Sequence, residues 1–307
     1  MLFRFVRITM PAGIGRFRVN CFIQMGKVGI VMRTIPSQIP TLDGLGLPAV
    51  LKDVALAKRG ICILVGGTGS GKSTTLAAMV DWRNEHTQDH IVTVEDPIEF
   101  VHQHKNCIIT QREVGLDTDS WENALKNSLR QAPDVILMGE IRDRETMEHA
   151  IAFSETGHLC MATLHANSAN QAMERIINFF PQERHPQLLK DVSLNLKGLI
   201  AQRLLPRQDG KGRWAAVEVL LHSGLVADQI MKGEIHELKE TMKRSREVGM
   251  QTFDQALFDA FEANVISYEE AIRNADSQND LRLAIKLNSQ RARSTDLSAG
   301  TEHLSIL

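Results

Sequence analysis

Residues 66–74 constrain the fold of this 307-residue chain more than any other feature. They fit the pattern G-x-x-x-x-G-K-[ST] and lie between a short apolar run at 61–65 and a stretch with helical spacing at 73–84. Glycines in that context let backbone N–H groups turn inward around phosphates, and the following helix start adds the positive end of a dipole. The segment therefore predicts a phosphate-binding loop between a strand and a helix.

Each position of this loop has an expected role. Lys72 reaches the β- and γ-phosphates, and the Ser73 hydroxyl takes one position around Mg²⁺. The predicted nucleotide-binding residues are Gly66, Gly67, Thr68, Gly69, Ser70, Gly71, Lys72, Ser73 and Thr74. Loops of this kind bind nucleoside triphosphates, so the sequence predicts ATP and Mg²⁺ as the bound species.

Strand and helix signals alternate on both sides of the loop. Apolar runs predict strands at residues 61–65, 91–94, 135–138 and 159–164. Apolar spacing of three and four predicts helices at residues 73–84, 121–131, 143–155 and 169–180. Ser120 and Asp143 stand where helix caps are expected, and Pro181 ends the last helix. Such alternation is typical of an α/β fold with a parallel sheet covered by helices on both faces.

The segments before and after this region differ from it in composition and in hydrophobic pattern. Residues 1–48 are rich in Gly and Pro, and the segment is too short to bury a core alone. Within it, polar and apolar residues alternate at 16–22 as they do in an edge-like strand. Beyond the core, helical patterns follow one another at residues 226–232, 235–246, 252–263 and 267–274. We expect four parts: a partial β-containing domain and linker at 1–48, a core at 49–222, a helical subdomain at 223–287, and a flexible tail at 288–307.

Composition excludes several classes of protein. Lys and Arg number 35 against 37 Asp and Glu, a net charge of −2, which argues against a surface built for duplex DNA or an anionic membrane. No apolar run reaches the roughly 18 residues of a membrane span. The four cysteines are scattered without a C-x-x-C pair, so neither a zinc site nor a disulfide framework is predicted. The expected environment is the reducing cytoplasm.

An acidic residue follows the predicted strand at 135–138. Gly139 occupies the place where such strands usually carry a metal-directing acid, and Glu140 comes next. Because ligands collect at the carboxyl ends of parallel strands, Glu140 is the Mg²⁺ candidate, acting through a water molecule. Asp134, at the other end of the strand, is better explained as a cap or turn residue.

A second acidic cluster, Glu95-Asp96-Pro97-Ile98-Glu99, follows the strand at 91–94. Three carboxylates so close together are costly unless a cation lies nearby. We predict that Glu99 polarises the attacking water, with Glu95 as the alternative.

Two histidines bracket the strand at 159–164. His165 follows its carboxyl end, the nucleotide end, and is predicted to sense the γ-phosphate. His158 lies at the opposite end and is better explained as a hydrogen-bonded structural histidine.

Arginines are frequent before the core. Phosphoryl transfer gains from an arginine supplied across a subunit interface. Arg16, Arg18 and Arg33 are the candidates for such a role in trans.

Four ordered segments resemble the signatures of the secretion ATPase superfamily. They are a Walker A motif at 66–74, an acidic "Asp box" at 95–99, an atypical Walker B motif with Gly-Glu at 135–140, and a "His box" at 156–165. Residues 15–20 and 111–115 are further similar to the branch of type IV pilus retraction ATPases. The absence of a C-x-x-C pair separates the chain from the pilus-assembly ATPases, which carry a zinc site.

The resemblance implies a RecA-like ATPase core, preceded by the last strands of a PAS-like domain and followed by a helical C-terminal subdomain. It also implies a homohexameric ring, peripheral to the cytoplasmic face of the inner membrane. There ATP hydrolysis would drive pilus retraction beside a PilT-like paralogue and through the inner-membrane pilus platform protein. In the family the Asp-box glutamate is the catalytic base and the Walker B glutamate serves Mg²⁺, which matches Glu99 and Glu140.

One departure from the family concerns the front of the chain. Family members begin with a complete PAS-like domain, so we expect residues 1–11 to belong to a truncated or misannotated start. Packing of this domain on a neighbouring subunit would then be incomplete.

Two other functions remain open on the sequence. One is a nucleotide-gated accessory subunit that supports a partner retraction ATPase with little turnover of its own. The other is a nucleic-acid motor, because RecA-like domains also serve helicases. That function needs a basic, aromatic-lined channel, for which one Tyr and three Trp offer little, so no nucleic-acid partner is expected.

Overall fold

The computed structural model describes residues 5–9, 15–35 and 38–294. Its strands are β1 Phe5–Thr9, β2 Arg16–Gln24, β3 Lys27–Ile35, β4 Gly60–Val65, β5 His90–Glu95, β6 Ile108–Glu113, β7 Val135–Met138, β8 Leu159–Leu164, β9 Leu196–Pro206 and β10 Arg213–Leu221. Its α-helices are α1 Val50–Ala55, α2 Lys72–His86, α3 Trp121–Ser128, α4 Arg144–Glu155, α5 Ala169–Asn178, α6 His185–Asn195, α7 Gly224–Lys232, α8 Leu238–Arg244, α9 Phe253–Glu262, α10 Tyr268–Asn274, α11 Gln278–Asn288 and α12 Gln290–Ser294.

The first three strands form a small antiparallel sheet in the order β1-β2-β3. The prediction of an edge-like strand at 16–22 is therefore wrong in position, because β2 pairs with a strand on each side. A central strand of an antiparallel sheet can leave one face to solvent and so shows the same alternation as an edge strand. Much of the predicted truncated start (1–4 and 10–11), and most of the predicted tail (295–307), lie outside the described residues. The domain boundaries near 48, 222 and 287 stay predictions.

The large sheet has the order β10-β9-β4-β8-β7-β5-β6. Every pair is parallel except β9 with β10, which form an antiparallel hairpin. The central strands end close to one another: Val65 lies beside Leu164 at the ends of β4 and β8, and Met138 at the end of β7 lies beside Val94 and beside Ala162. The loops that leave these strands consequently start at one edge of the sheet.

Helices cover both faces of this sheet. Ile61, Ile63 and Val65 of β4 belong to one hydrophobic core, while Cys62 and Leu64 belong to the other. The second core includes apolar residues of α1 and α2, and the first includes those of α3 to α11. Successive side chains of a strand point to opposite faces, so a fully buried β4 needs both layers. Within the described part of the chain, we find no helix with the length and apolarity to cross a bilayer.

Most predicted elements of the core agree with the structure, and the predicted caps are present. The Ser120 hydroxyl accepts the N–H of Asn123, and Asp143 forms a capping box with Thr146. The predicted helix at 235–246 is broken, because 3-10 turns flank the short α8. The sequence pattern did not reveal α1, β6, α6, β9 and β10 of the core, nor β1, β3, α11 and α12 outside it.

A buried glutamate ties the β9–β10 hairpin to α5. Glu218 of β10 is 1% exposed, and its Oε1 accepts the N–H of Ala169, the first residue of α5, at 2.7 Å. Burial raises the pKa of Glu218 from 4.5 to about 7, although the hydrogen bond from Ala169 opposes the rise. The folded chain therefore carries a proton on Glu218 over a range of pH where the unfolded chain has lost it.

Replacing this carboxyl should remove a pH dependence of stability. As pH rises from 4.5 to about 7, the free energy of unfolding falls, because the unfolded state has released the Glu218 proton and the folded state still holds it. Glu218→Gln keeps an acceptor for Ala169 without the charge. We expect the variant to be more stable than wild type by about 1–3 kcal/mol at pH 8 and nearly equal at pH 5, measured by urea unfolding.

The exposed Glu174 provides a control on α5, and Glu174→Gln should leave both values unchanged. Equal stability of Glu218→Gln and wild type at pH 8 would contradict the expectation.

Candidate active site

The loop after β4 has the backbone of a phosphate cradle. Gly69 and Gly71 adopt left-handed φ angles of +80° and +90°, which residues with a Cβ rarely adopt. Gly71 is also the N-cap residue of α2 and supplies no capping side chain. The first N–H groups of α2 thus lie next to a loop that the glycines allow to curl, the arrangement that favours anions.

Lys72, the first residue of α2, follows this loop and is 8% exposed. Its Nζ donates to the carbonyl oxygens of Gly66 and Gly67, at 2.7 and 2.9 Å. Burial lowers the pKa of Lys72, and the carboxylates of Glu140 and Glu99 oppose that effect. The ammonium therefore shares one electrostatic neighbourhood with both predicted catalytic acids.

Glu95, the last residue of β5, and Glu99, in the loop that follows, lie in different environments. Glu95 Oε1 accepts from the Thr93 hydroxyl at 2.7 Å and from Gln111 Nε2 at 3.3 Å. Burial raises the pKa of Glu95 to about 7, while those hydrogen bonds oppose the rise. Glu99 is half-buried and lines the cleft. Glu95 is thus anchored by neighbours, which leaves Glu99 the better placed of the two to meet a substrate.

Gly139 lies in closely packed surroundings. A Cβ on Gly139 would lie 3.3 Å from the Trp121 ring and 3.4 Å from the Val94 carbonyl oxygen. A side chain at this position would therefore require the Trp121 ring of α3 to move by a few tenths of an ångström. Glu140, the next residue, lines the cleft.

Glu140 belongs to a polar network at the cleft wall. Its Oε2 accepts from Arg142 Nε at 3.1 Å, and its Oε1 lies 3.3 Å from His165 Nε2. Arg142 also lies 3.5 Å from Asp96 Oδ2 and over the Trp121 ring. The network connects loops from β5, β7 and β8, so it holds Glu140 and His165 in a defined relation.

A single cleft of about 360 Å³ brings the predicted residues together. Its lining includes Thr68, Gly69, Lys72, Ser73, Glu95, Glu99, Glu140, His165 and Arg18. No group of three or more His, Cys, Asp or Glu side chains among the described residues could hold a metal ion unaided. The Ser73 hydroxyl and Glu140 carboxylate fit Mg²⁺ in its usual setting, where phosphate oxygens and water complete the coordination.

The three candidate arginines lie against the loops of their own chain. Arg16 donates to the carbonyl oxygens of Ile98 and Glu99, at 2.9 and 3.0 Å. Arg18 and Arg33 line a second cavity, of about 380 Å³, together with residues 68–74. Arg16 therefore holds the turn that carries Glu99, and Arg18 and Arg33 lie beside the phosphate-binding loop of the same chain. A role across a subunit interface stays a prediction.

The two residues that were predicted to have structural roles, His158 and Asp134, form hydrogen bonds. His158 Nδ1 lies 2.9 Å from the Thr156 hydroxyl and 3.0 Å from the Phe153 carbonyl oxygen. Asp134 Oδ2 accepts the N–H of His90 at 2.8 Å, which ties the start of β5 to β7. Both residues lie at the amino ends of strands, away from the cleft.

Sequence reasoning missed several residues that shape the site. Arg142 follows Glu140 by two positions, and this alternation of charge after a strand was the available signal. Gln111, which holds Glu95, comes from β6, a strand that the pattern did not reveal. Gln202 lies under the phosphate loop on β9, for which no local signal existed.

Comparison with known proteins identifies the family. The model for "Type II/IV secretion system protein" matches residues 6–255. The chain belongs to this family. Its resemblance to the type IV pilus retraction ATPases, predicted from residues 15–20 and 111–115, is confirmed by its similarity to two pilus ATPases.

The chain is 62% identical over 294 residues to the type IV pilus ATPase PilU of Pseudomonas aeruginosa, a match that covers 96% of this chain and 77% of PilU. It is 41% identical over 263 residues to the type IV pilus retraction ATPase PilT of the same organism, covering 86% and 76%. The crystal structure of the pilus retraction motor PilT with bound ADP superposes with a TM-score of 0.85 at 39% identity, covering 91% of this chain and 80% of that one. The predicted α/β fold with a mostly parallel sheet and C-terminal helices is thereby confirmed.

Thr93 should control the protonation of Glu95. Its hydroxyl bond to the Glu95 carboxylate favours the charged form, so Thr93→Val should raise the Glu95 pKa above its value of about 7. The measurement is a carboxyl ¹³C NMR titration of glutamate-labelled protein, with the Glu95→Gln spectrum assigning the resonance. Thr156→Val, which alters a hydroxyl beside His158, serves as control. An unchanged or lowered Glu95 pKa in Thr93→Val would be inconsistent with this geometry.

Proposed function

We propose that this chain is an ATP-hydrolysing subunit of the motor that retracts type IV pili and so drives twitching motility. The observation that carries the proposal is the single cleft in which Lys72, Ser73, Glu99, Glu140 and His165 meet. Family membership and the similarity to PilU and PilT support the type IV pilus as the structure on which the motor acts.

The chain's own groups account for the chemistry of ATP hydrolysis. Backbone N–H groups of residues 66–74 cradle the phosphates, and Lys72 neutralises charge on the β- and γ-phosphates. Glu99 accepts a proton from the attacking water and orients it. His165, held beside Glu140, donates toward the γ-phosphate.

Mg²⁺ would enter this site with the nucleotide. When bound, the ion neutralises phosphate charge as it develops. The Ser73 hydroxyl would hold it directly, and the Glu140 carboxylate would do so through a water molecule.

We further propose that the subunits form a homohexameric ring, peripheral to the cytoplasmic face of the inner membrane. The partners would be a PilT-like paralogue and the inner-membrane pilus platform protein. Arg18 and Arg33, which line the cavity beside residues 68–74, would respond to the charge of the bound phosphates. In such a ring, ATP hydrolysis in one subunit would move that subunit relative to its neighbour.

Lys72→Ala should abolish nucleotide binding and ATP turnover. Loss of the ammonium leaves the phosphate charge without its buried counterion, and we expect the dissociation constant for ATP to rise by about 100-fold or more. Fluorescent-nucleotide titration and steady-state phosphate release measure the two effects. Lys58→Ala, which removes an exposed lysine, should behave as wild type. Turnover that persists in Lys72→Ala would refute the proposal.

Glu99→Gln should separate binding from hydrolysis. The amide cannot accept the proton of the attacking water, so turnover should fall by about 10²- to 10⁴-fold while ATP affinity stays within a few-fold of wild type. Glu174→Gln is the exposed control, and Glu95→Gln tests the alternative base. Turnover by wild type and by Glu99→Gln, each with and without a PilT-like partner, distinguishes the motor from an accessory subunit. A wild-type chain that binds ATP yet never hydrolyses it would favour the accessory function.

A further inference from the structure

Gln202 lies directly beneath the phosphate-binding loop. It belongs to β9, where Ala201 pairs with Val65 at the end of β4, so Gln202 is level with the first residue of the loop. Its side chain is buried, at 3% exposure, and both ends of the amide are engaged. Nε2 donates to the Ser70 carbonyl oxygen at 2.9 Å, and Oε1 accepts from the Thr75 hydroxyl at 2.8 Å.

Two glycines of the motif pack against this residue. A Cβ on Gly71 would lie 2.7 Å from Gln202 Nε2, and a Cβ on Gly66 would lie 2.7 Å from the Gln202 carbonyl oxygen. Both distances are shorter than a nonbonded contact allows, so each position requires glycine as long as Gln202 stays in place. The loop and Gln202 therefore form one tightly packed unit.

The hydrogen bond to Ser70 sets the direction of the next N–H group. In a trans peptide the carbonyl and the N–H point in opposite directions. Because the Ser70 carbonyl points to Gln202, the N–H of Gly71 points away from β9. The second hydrogen bond fixes Thr75, whose own N–H donates to the Gly71 carbonyl at 3.0 Å in the first turn of α2. One side chain thus holds the peptides on both sides of Gly71.

We propose that Gln202 is a positioning residue of the nucleotide site: its amide holds the Ser70 carbonyl and the Thr75 hydroxyl so that the Gly71 N–H faces the phosphates. The inference rests on the proposed function, because it names a determinant of ATP affinity at the same site. Gln202 acts through the loop and has no contact with the reacting atoms. Its loss should therefore weaken nucleotide binding more than it slows hydrolysis at saturation.

Gln202→Met tests this role, because methionine has a similar length and can neither donate to Ser70 nor accept from Thr75. We expect the dissociation constants for ADP and ATP, and KM for ATP, to rise by about tenfold to a hundredfold, with kcat within about threefold of wild type. Gln202→Glu, which retains the acceptor for Thr75 and loses the donor to Ser70, should also weaken binding. Fluorescent-nucleotide titration and steady-state kinetics supply these values, and thermal unfolding reports stability.

Gln229→Met is the matched control. Gln229 is 7% exposed and accepts the Thr241 hydroxyl at 3.0 Å, as Gln202 accepts that of Thr75, but it lies in the C-terminal helices. This variant should lose stability without any change in nucleotide affinity. A merely structural role for Gln202 would produce the same result, with affinity per folded molecule unchanged, and would overturn the proposal.

A second pair of variants decides the matter if Gln202→Met does not fold. Thr75→Val removes the hydroxyl that binds Gln202, and Thr75→Ser retains it. We expect weaker nucleotide binding in Thr75→Val and wild-type binding in Thr75→Ser, and equal affinities would overturn the inference. Failure of the wild-type chain itself to bind nucleotide would instead refute the proposed function, so the two failures are distinguishable.

Discussion

Parallel pairing in one register brings the carboxyl ends of four strands to a single edge of the large sheet. The ends of β4 and β8 pair at Val65 and Leu164, β5 and β7 pair at Val94 and Met138 close to their ends, and the chain leaves each strand into one segment of the cleft. A shift of one residue in any pair would move that segment by about 3.3 Å and turn its side chains to the other face. The relation of Lys72 to the acids of the other loops is therefore a property of strand pairing, which the two buried cores maintain.

The charged side chains of the cleft differ in the number of partners that hold them. The carboxylates of Glu140 and Glu99 both favour the charged form of Lys72, which opposes the effect of burial on its pKa. Glu95 is held by two hydrogen bonds, and its pKa near 7 reduces the repulsion that a third full charge would add. Glu140 is shared between Arg142 and His165. Only Glu99 among these acids lacks a side-chain anchor in the described structure, and this freedom suits a group that must follow a reacting water.

Local patterns predicted what depends on local sequence. The strand at 135–138 and the caps Ser120 and Asp143 were correct, because apolar runs and capping residues act within a few positions. The hairpin of β9 and β10 was missed, because polar residues such as Gln202 and Glu218 interrupt the apolar runs that predict a strand buried on both faces. Gln202 and Gln111 were missed because their partners lie elsewhere in the chain. Gln202 bonds to Ser70 of the phosphate-binding loop, and Gln111 bonds to Glu95 of β5.

Strand β9 links the phosphate loop to the helical part of the chain. Successive residues of a strand face opposite sides of the sheet, so Gln202 contacts the loop while Arg203 points to the other layer. Arg203 donates to the carbonyl oxygens of Asn167 and Asn274, which lie after His165 and at the end of α10. It also pairs with Asp276 and lies 4.0 Å from the centre of the Phe253 ring. A displacement of β9 relative to β4 would therefore reach both the phosphate loop and the C-terminal helices, which is the mechanical connection that a nucleotide-driven motor needs.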